Sequence, residues 1–375
     1  MLGFSGRFCC YQRYNEFLLR TLIPKGGFQV VIRASSSFSR VSECSYQYQA
    51  IPDQKQPRIS EEMKDEFTKN GYLLVKSLLS ESEMSEVNPV LLDKEMFSDK
   101  MGYFRQRDKM WGLVLWTEQG SDFLGVLAGS AKIAGVAQQL LDRGEIYLYH
   151  SKLLRKEAKE GGVSAWHQDY AQWYQNELVF PDLIACNLAL TQSDRNSGGT
   201  SVIKSSHLCG RIDHQVTKIQ QGADEDRVAI LKQILRHVSV DMAPGDGLFL
   251  HCNLLRSSGE NQSSTVNAHL KLVYNSRQNT PSIRHDYSDA VYTPLKTYPA
   301  DALSSVSQFK LEAREWRQTE RERQGLLRYG HQRDGRTLWE LDDVKEPSEV
   351  GKKQKKEGFG VRVARDRDGS TLWDL

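Results

Sequence analysis

The apolar positions of this chain change rhythm along its length. From Ser60 the stretch ISEEMKDEFTKNGYLLV spaces them as an amphipathic helix, which Asn70-Gly71 breaks before a short strand over Tyr72 to Val75. Ser80 is placed to cap a second helix. Between Ile146 and Asn275 the pattern becomes that of short strands divided by turn residues: IYLYHSKLL, AWHQDYAQWY, LIACNLALT, TSVIK, LFLHCNLL and HLKLVYN. Even spacing of such strands predicts an all-β core closed as a sandwich or barrel. One helix interrupts it near Asp226 to Val238, where Val228, Leu231, Ile234 and Leu235 recur at helical spacing behind the cap candidate Asp224.

The two ends differ from this middle. Residues 1–48 carry Arg7, Arg13, Arg20, Lys25, Arg33 and Arg40 against Glu16 and Glu43, with a serine cluster at Ser35-Ser36-Ser37. That is the profile of a mitochondrial presequence, so import with cleavage before Tyr46 is expected, a cytoplasmic location being the alternative. There is no secretory apolar segment, and the final Trp-Asp-Leu is not a peroxisomal tripeptide. The core domain is expected over residues 60–302, and residues 303–375 form a charged extension. In it FKLEAREWRQTERERQ reads as a solvated helix, and Arg333-Asp334-Gly335-Arg336-Thr337-Leu338-Trp339-Glu340-Leu341 recurs as Arg367-Asp368-Gly369-Ser370-Thr371-Leu372-Trp373-Asp374-Leu375. Each copy holds an Asp-Gly turn between short strands, which suits either a hairpin docked on the main domain or a linear motif for a protein partner.

Composition narrows the function. With 375 residues, 39% apolar and 26% charged, the chain has the make-up of a globular protein. A formal charge of +2 argues against a nucleic-acid binder, and runs such as Leu183 to Leu190 are too short to span a bilayer. The six cysteines, Cys9, Cys10, Cys44, Cys186, Cys209 and Cys252, show neither metal spacing nor the density of a disulfide scaffold. Cys186 and Cys252 lie in apolar runs and are expected to be small buried hydrophobes.

The candidate chemistry lies in Trp166-His167-Gln168-Asp169. On a strand, residues two apart share a face, so His167 and Asp169 would converge as two donors for a metal. A carboxylate inside an aromatic strand needs a compensating charge, and a metal ion would supply one. With one later histidine the pair would complete the facial triad of non-haem Fe(II) oxygenases, which leaves the opposite face open for co-substrate and O₂.

From Glu62 to Asp301 the chain resembles the phytanoyl-CoA dioxygenase family of Fe(II)/2-oxoglutarate oxygenases. Four segments carry the resemblance in order: EEMKDEFTKNGYLLVKSLLS, YLYHSKLLRK followed by AWHQDYAQWY, NSGGTSVIKSSH, and APGDGLFLHCNLLRSSGENQS. The resemblance implies a double-stranded β-helix, a cupin-like jelly roll with N-terminal helices outside it. It implies Fe(II) and 2-oxoglutarate as cofactors, His167 and Asp169 as iron ligands, and hydroxylation of an aliphatic C–H in a small metabolite or acyl-CoA. Two positions depart from the family's pattern. Arg256 stands where the third iron ligand is expected, and Asn267 stands where the family's arginine clamps 2-oxoglutarate. A guanidinium has no lone pair to offer iron, and an amide is no charged clamp. The alternative is therefore a catalytically impaired protein with a binding or regulatory role. His251 is a substitute candidate for the third ligand, although its odd offset from Arg256 puts it on the other strand face. His269 and Lys271 share strand parity with Asn267, and Lys271 could hold a carboxylate in the clamp's place. His150 and Lys152 are expected on the co-substrate side, and Trp166, Tyr170 and Trp173 are expected to shape a substrate pocket.

Overall fold

The computed structural model describes residues 45–47, 58–97, 101–106, 109–175, 178–216, 221–281, 292–309, 327–331 and 337–341. The presequence-like segment apart from Ser45–Gln47, the charged helix after Phe309 and the second terminal repeat lie outside the described residues. Helix α1 (Glu61–Asn70) begins where the Ser60 side chain accepts from the Met63 amide, and it ends at Gly71, whose φ of 80° few other residues adopt. A side chain at Gly71 would also collide with the His207 ring and Leu254. Strand β1 (Ser45–Gln47) pairs in parallel with β2 (Tyr72–Lys76). Helix α2 (Glu81–Leu91) follows behind a reciprocal capping box of Ser80 and Glu83.

Strands β3 (Gly102–Gln106) and β4 (Lys109–Trp116) and helices α3 (Phe123–Gly129) and α4 (Val136–Leu141) lead to the long β5 (Ile146–Lys156) and the short β6 (Ser164–His167). Helix α5 (Asp169–Gln175) comes next. Then follow β7 (Leu183–Ala189), β8 (Thr200–Ile203), β9 (His214–Val216), β10 (Gln221–Ala223), α6 (Glu225–Ile234), β11 (His237–Ser239), β12 (Gly247–His251), β13 (Arg256–Ser258) and β14 (Asn267–Ser276). Strands β15 (Leu327–His331) and β16 (Thr337–Leu341) come last.

Ten strands form one sheet in the order β1-β2-β12-β7-β14-β5-β4-β3-β16-β15, and a four-stranded sheet, β11-β8-β13-β6, lies over its inner face. This is the expected jelly roll. The middle of the large sheet is buried on both sides: outward-pointing Leu73, Val75, Cys186, Leu188, Leu270 and Leu272 pack under helices α1 to α4, while Leu74, Ala185, Leu248, Leu250 and Val273 face inward. Burial on both faces is why LIACNLA and its neighbours read as continuous apolar runs, without the strict alternation of a half-exposed strand. Cys186 and Cys252 are buried, as expected from those runs.

Two expectations are corrected. AWHQDYAQWY is a strand only as far as His167, and Asp169–Gln175 turns into helix. The strand ends because the Gln168 side chain, bonded to the Gly210 and Asn253 carbonyls and the Ile212 amide, turns the chain, and the helix that follows buries Tyr170, Ala171 and Trp173. The helix expected up to Val238 stops at Ile234, since His237–Ser239 pairs with Ile203–Ser201 along the edge of the small sheet. Of the first terminal repeat, Thr337–Leu341 lies within the described residues and adds a strand near the outer edge of the large sheet. It pairs antiparallel with Leu327–His331 and, through Leu338–Glu340, in parallel with Tyr103–Arg105.

Candidate functional site

Antiparallel pairing of β13 with β6 sets Arg256 directly opposite His167. Two residues beyond His167, Asp169 opens helix α5, and Lys271 projects toward it from the middle of β14 in the facing sheet. The three side chains meet. Arg256 donates from Nη2 to Asp169 Oδ1 at 2.6 Å and from Nε to Oδ2 at 3.2 Å, and the Lys271 ammonium donates to Oδ2 at 2.7 Å. This is a two-pronged guanidinium–carboxylate pair with a second cation on the same carboxylate, and Asp169 is 10% exposed and Lys271 2%.

Burial disfavours the charge on Asp169, but the Arg256 guanidinium and the Lys271 ammonium outweigh it and hold the carboxyl well below its ordinary range. Lys271 is driven down to about 7 by its own burial and by neighbouring Arg256, with Asp169 pulling the other way. His167 Nδ1 lies 2.7 Å from the Ala165 carbonyl and donates to it, which leaves the lone pair on Nε2, 3.9 Å from Asp169 Oδ1. Burial and the Arg256 charge lower this imidazole to about 3, so it is neutral at pH 7. The turn between the two residues is fixed by Gln168. Its side chain donates to the Gly210 and Asn253 carbonyls and accepts from the Ile212 amide, and its own amide donates to His214 Nε2.

Beside this cluster the two sheets enclose a cavity of about 200 Å³. Its floor is the inner row of the large sheet, where Lys271 pairs with Lys152 on one side and Asn187 on the other, and Asn267 pairs with Lys156. Its roof is Ser164, Thr200, Arg256 and Ser258 of the small sheet. Lys156 reaches across from one sheet to the other, donating to Ser258 Oγ at 2.7 Å and to the Gly259 carbonyl at 2.7 Å. Asn267 donates to the Ser197 carbonyl at 2.8 Å, and His269 Nε2 lies 3.1 Å from Ser193 Oγ. Three buried wall atoms have no hydrogen-bond partner among the described residues: Asn187 Oδ1, Asn267 Oδ1 and His269 Nδ1. Buried polar atoms are normally satisfied, so this wall is shaped for water or a polar ligand.

Of the residues singled out from sequence, His167, Asp169, Arg256, Lys152, Asn267 and Lys271 come together here. Lys271, expected on the co-substrate side, lines the cavity and donates to Asp169. His150 is fully buried against Tyr149 and Trp173, outside the cavity lining. His251 does not reach Asp169; it lies with Phe67 and His207, and its Nδ1 accepts from the Asn253 amide. Trp166 points to the outside of the small sheet, against His237 and under the Lys232 ammonium. Tyr170 is core, with its hydroxyl on the Leu178 and Val179 carbonyls, whereas Trp173 lies 5.8 Å below the Lys271 ammonium. Sequence reasoning missed Lys156 and Asn187. Lys156 was within reach, because it shares strand parity with Lys152.

A jelly roll with this pocket is the architecture of the cupin-like oxygenases. A family model described as Phytanoyl-CoA dioxygenase (PhyH) matches residues 67–267, more than half of the chain, and the chain belongs to that family. The ectoine dioxygenase of Bordetella bronchiseptica is 24% identical over 245 residues, covering 59% of this chain and 77% of the relative. The L-proline trans-4-hydroxylase of Streptomyces griseoviridis is 25% identical over 166 residues, covering 40% and 62%. Crystal structures of EctD from S. alaskensis are similar in fold. The one with bound Fe has a TM-score of 0.54 at 21% identity, over 67% of this chain and 90% of that one. The one with 2-oxoglutarate and 5-hydroxyectoine scores 0.52 at 20% identity with the same coverage. Homologues and neighbours thus indicate a lineage dependent on Fe(II) and 2-oxoglutarate.

The residues of this chain fit the two cofactors unequally. Cations and amides around the cavity suit a carboxylic acid. For iron, His167 and Asp169 supply two donors, but the carboxylate is already taken by Arg256 and Lys271. Among the described residues no group of three His, Cys, Asp or Glu side chains is arranged to hold a metal ion. A three-ligand iron site therefore does not fit the arrangement seen.

Proposed function

We propose that this chain is a small-molecule member of the oxygenase lineage whose pocket binds a carboxylic acid of the 2-oxoglutarate kind, with binding as its principal role. The observation that carries this reading is the Arg256 fork on Asp169, which places a fixed cation beside a polar cavity where the lineage needs an iron ligand. A charged group buried with its counter-ion is costly to displace, so the ion pair competes with a metal for Asp169. The cavity's volume of about 200 Å³ suits a small metabolite and is too small to enclose an acyl-CoA. The test is turnover of 2-oxoglutarate to succinate by the purified protein supplied with Fe(II) and ascorbate. The expectation is no turnover above the buffer rate, alongside measurable 2-oxoglutarate binding.

A second reading, hydroxylation of an aliphatic C–H in a small metabolite, is favoured by the Nε2 lone pair of His167 facing Asp169 and by the relatives named above. Stoichiometric iron together with succinate formation would establish it in place of the first. We also propose a mitochondrial address from the arginine-rich, acid-poor start of the chain. Full-length protein in the cytosol with Met1 intact would exclude it.

A further inference from the structure

We infer that the second terminal repeat closes the free edge of the large sheet, with residues 371–375 pairing antiparallel to β15 as β16 does on its other side. The inference concerns the far end of the sheet and does not depend on what the cavity binds.

The repeat is longer than its Arg-Asp-Gly core. Residues 327–341, LRYGHQRDGRTLWEL, align without a gap on residues 361–375, VRVARDRDGSTLWDL, with eight of the fifteen positions identical. The first copy shows what this pattern builds: Leu327–His331 and Thr337–Leu341 pair antiparallel, and the second of the two joins the sheet beside β3. The likeness is greatest in that joining strand, TLWEL against TLWDL, and least in the outer one, LRYGH against VRVAR. What is repeated is the part that docks. Two strands alone are marginally stable in water, so a second pair of this kind needs a sheet to join.

Length selects the edge. The ten- and four-stranded sheets end in β1, β15, β11 and β6, of which β15 has five residues, β6 four, and β1 and β11 three. The repeated strand also has five. On its inner side β15 pairs with β16, and among the described residues no strand pairs with its outer side, which leaves a row of backbone donors and acceptors ready for another strand. Residues 342–360, the tether between the copies, reach up to about 60 Å when extended, whereas the outer side of β15 lies only about 10 Å from β16. So short a tether holds the second copy near that edge at an effective concentration on the order of millimolar.

Charge selects the strand. In the register that β16 already has, residues 371–375 set Asp374 opposite Arg328, as Glu340 is on the inner side. Residues 361–365 in the same place would bring Arg362 and Arg365 to a strand that holds Arg328 and no acid. Those arginines instead fall on the new outermost strand, where charged residues deter pairing with other molecules.

The test is amide hydrogen exchange of the full-length chain, followed residue by residue by nuclear magnetic resonance. Alternate amides of β15 face β16, and the others face the outer side. The expected result is that both sets exchange at least about 100-fold more slowly than unstructured amides. Leu372→Pro, which removes a donor and does not fit inside a paired strand, should return the outward set to the unstructured rate while the amides between β15, β16 and β3 stay slow. Asp374→Lys, a milder change, should speed the outward set about fivefold by placing like charges opposite each other. Outward amides at the unstructured rate in the unaltered chain overturn the inference, as does protection that survives Leu372→Pro, because another segment then covers the edge. Protection that is lost on dilution together with a dimer in sedimentation overturns it in favour of a second copy of the chain. The exchange pattern and its concentration dependence use the unaltered protein, so they decide the matter even if Leu372→Pro aggregates.

Discussion

Two buried aspartates in this molecule solve the same electrostatic problem in different ways. Asp246 lies in the turn before β12, where its oxygens accept from the Ser77 and Ala243 amides, each at 2.8 Å, and from the Lys76 ammonium at 2.9 Å. Gly245, with a φ of 88°, shapes that turn, and two backbone amides, Ala243 from the turn itself and Ser77 from just past β2, supply two of the three hydrogen bonds. Asp169 has no such backbone support among the described residues. Its partners are the side chains of Arg256 and Lys271, brought from two different sheets and set beside a cavity. A carboxylate satisfied largely by backbone amides ties one turn to another and locks the chain in place. One satisfied by cations from distant strands at a pocket is a poised site, because an anionic ligand can compete for the same donors.

Removing the charge should separate the two most strongly. Asp169→Asn leaves Arg256 and Lys271 facing each other without a counter-ion and should cost about 3–5 kcal/mol of stability, read by urea unfolding. Adding Arg256→Gln and Lys271→Met to that variant should recover most of the loss, since a neutral cluster needs no counter-ion. If the triple variant is no more stable than Asp169→Asn, the cost came from packing and not from charge. At the other carboxylate, Asp246→Asn keeps an acceptor for one amide, and the half-exposed Lys76 can turn to water, so a loss of about 1–3 kcal/mol is expected. A loss equal to that at Asp169 would erase the distinction.

Acid probes the cavity side in a graded way. Burial, with Lys156 and Arg256 nearby, lowers His269 in the cavity wall to about 4, and burial, with His207 and Arg143, lowers His251 to about 3. Both are neutral in the folded chain where the unfolded chain, titrating near 6.5, takes up a proton. The contribution of these two histidines to stability should therefore be constant above about pH 6.5 and fall as pH drops below it, by up to about 1.4 kcal/mol per unit for each. His269→Gln should flatten part of that slope, and an unchanged slope would mean that His269 is not the titrating group. The smallest effect is expected for Lys76→Met, within about 1 kcal/mol, because that ion pair is partly in water.

Much of this fold was legible in the chain. Ser60, Gly71, Ser80 and Asp224 mark helix ends by local hydrogen-bond chemistry, and the apolar runs mark the doubly covered strands. The cluster was half legible. His167, Asp169 and Arg256 could be set side by side from the family pattern, but that Arg256 and Lys271 both close on one carboxylate depends on pairing between distant strands, which no local signal encodes. The strand-to-helix change at Asp169 was hidden for a related reason. Trp166-His167-Gln168-Asp169 alternates like a strand, and what ends the strand is the Gln168 side chain bonding to Gly210, Ile212 and Asn253, far along the chain.

The central claim is that Asp169 belongs to Arg256 and Lys271 and not to a metal. Electron paramagnetic resonance of Mn²⁺ tests it directly, because bound Mn²⁺ loses the sharp six-line signal of the free ion. Titrated into the unaltered protein, Mn²⁺ should keep its full signal, and Arg256→His, which returns a lone pair to the site, should remove about one equivalent. Loss of one equivalent of signal in the unaltered protein, reversed by Asp169→Asn, would contradict the account.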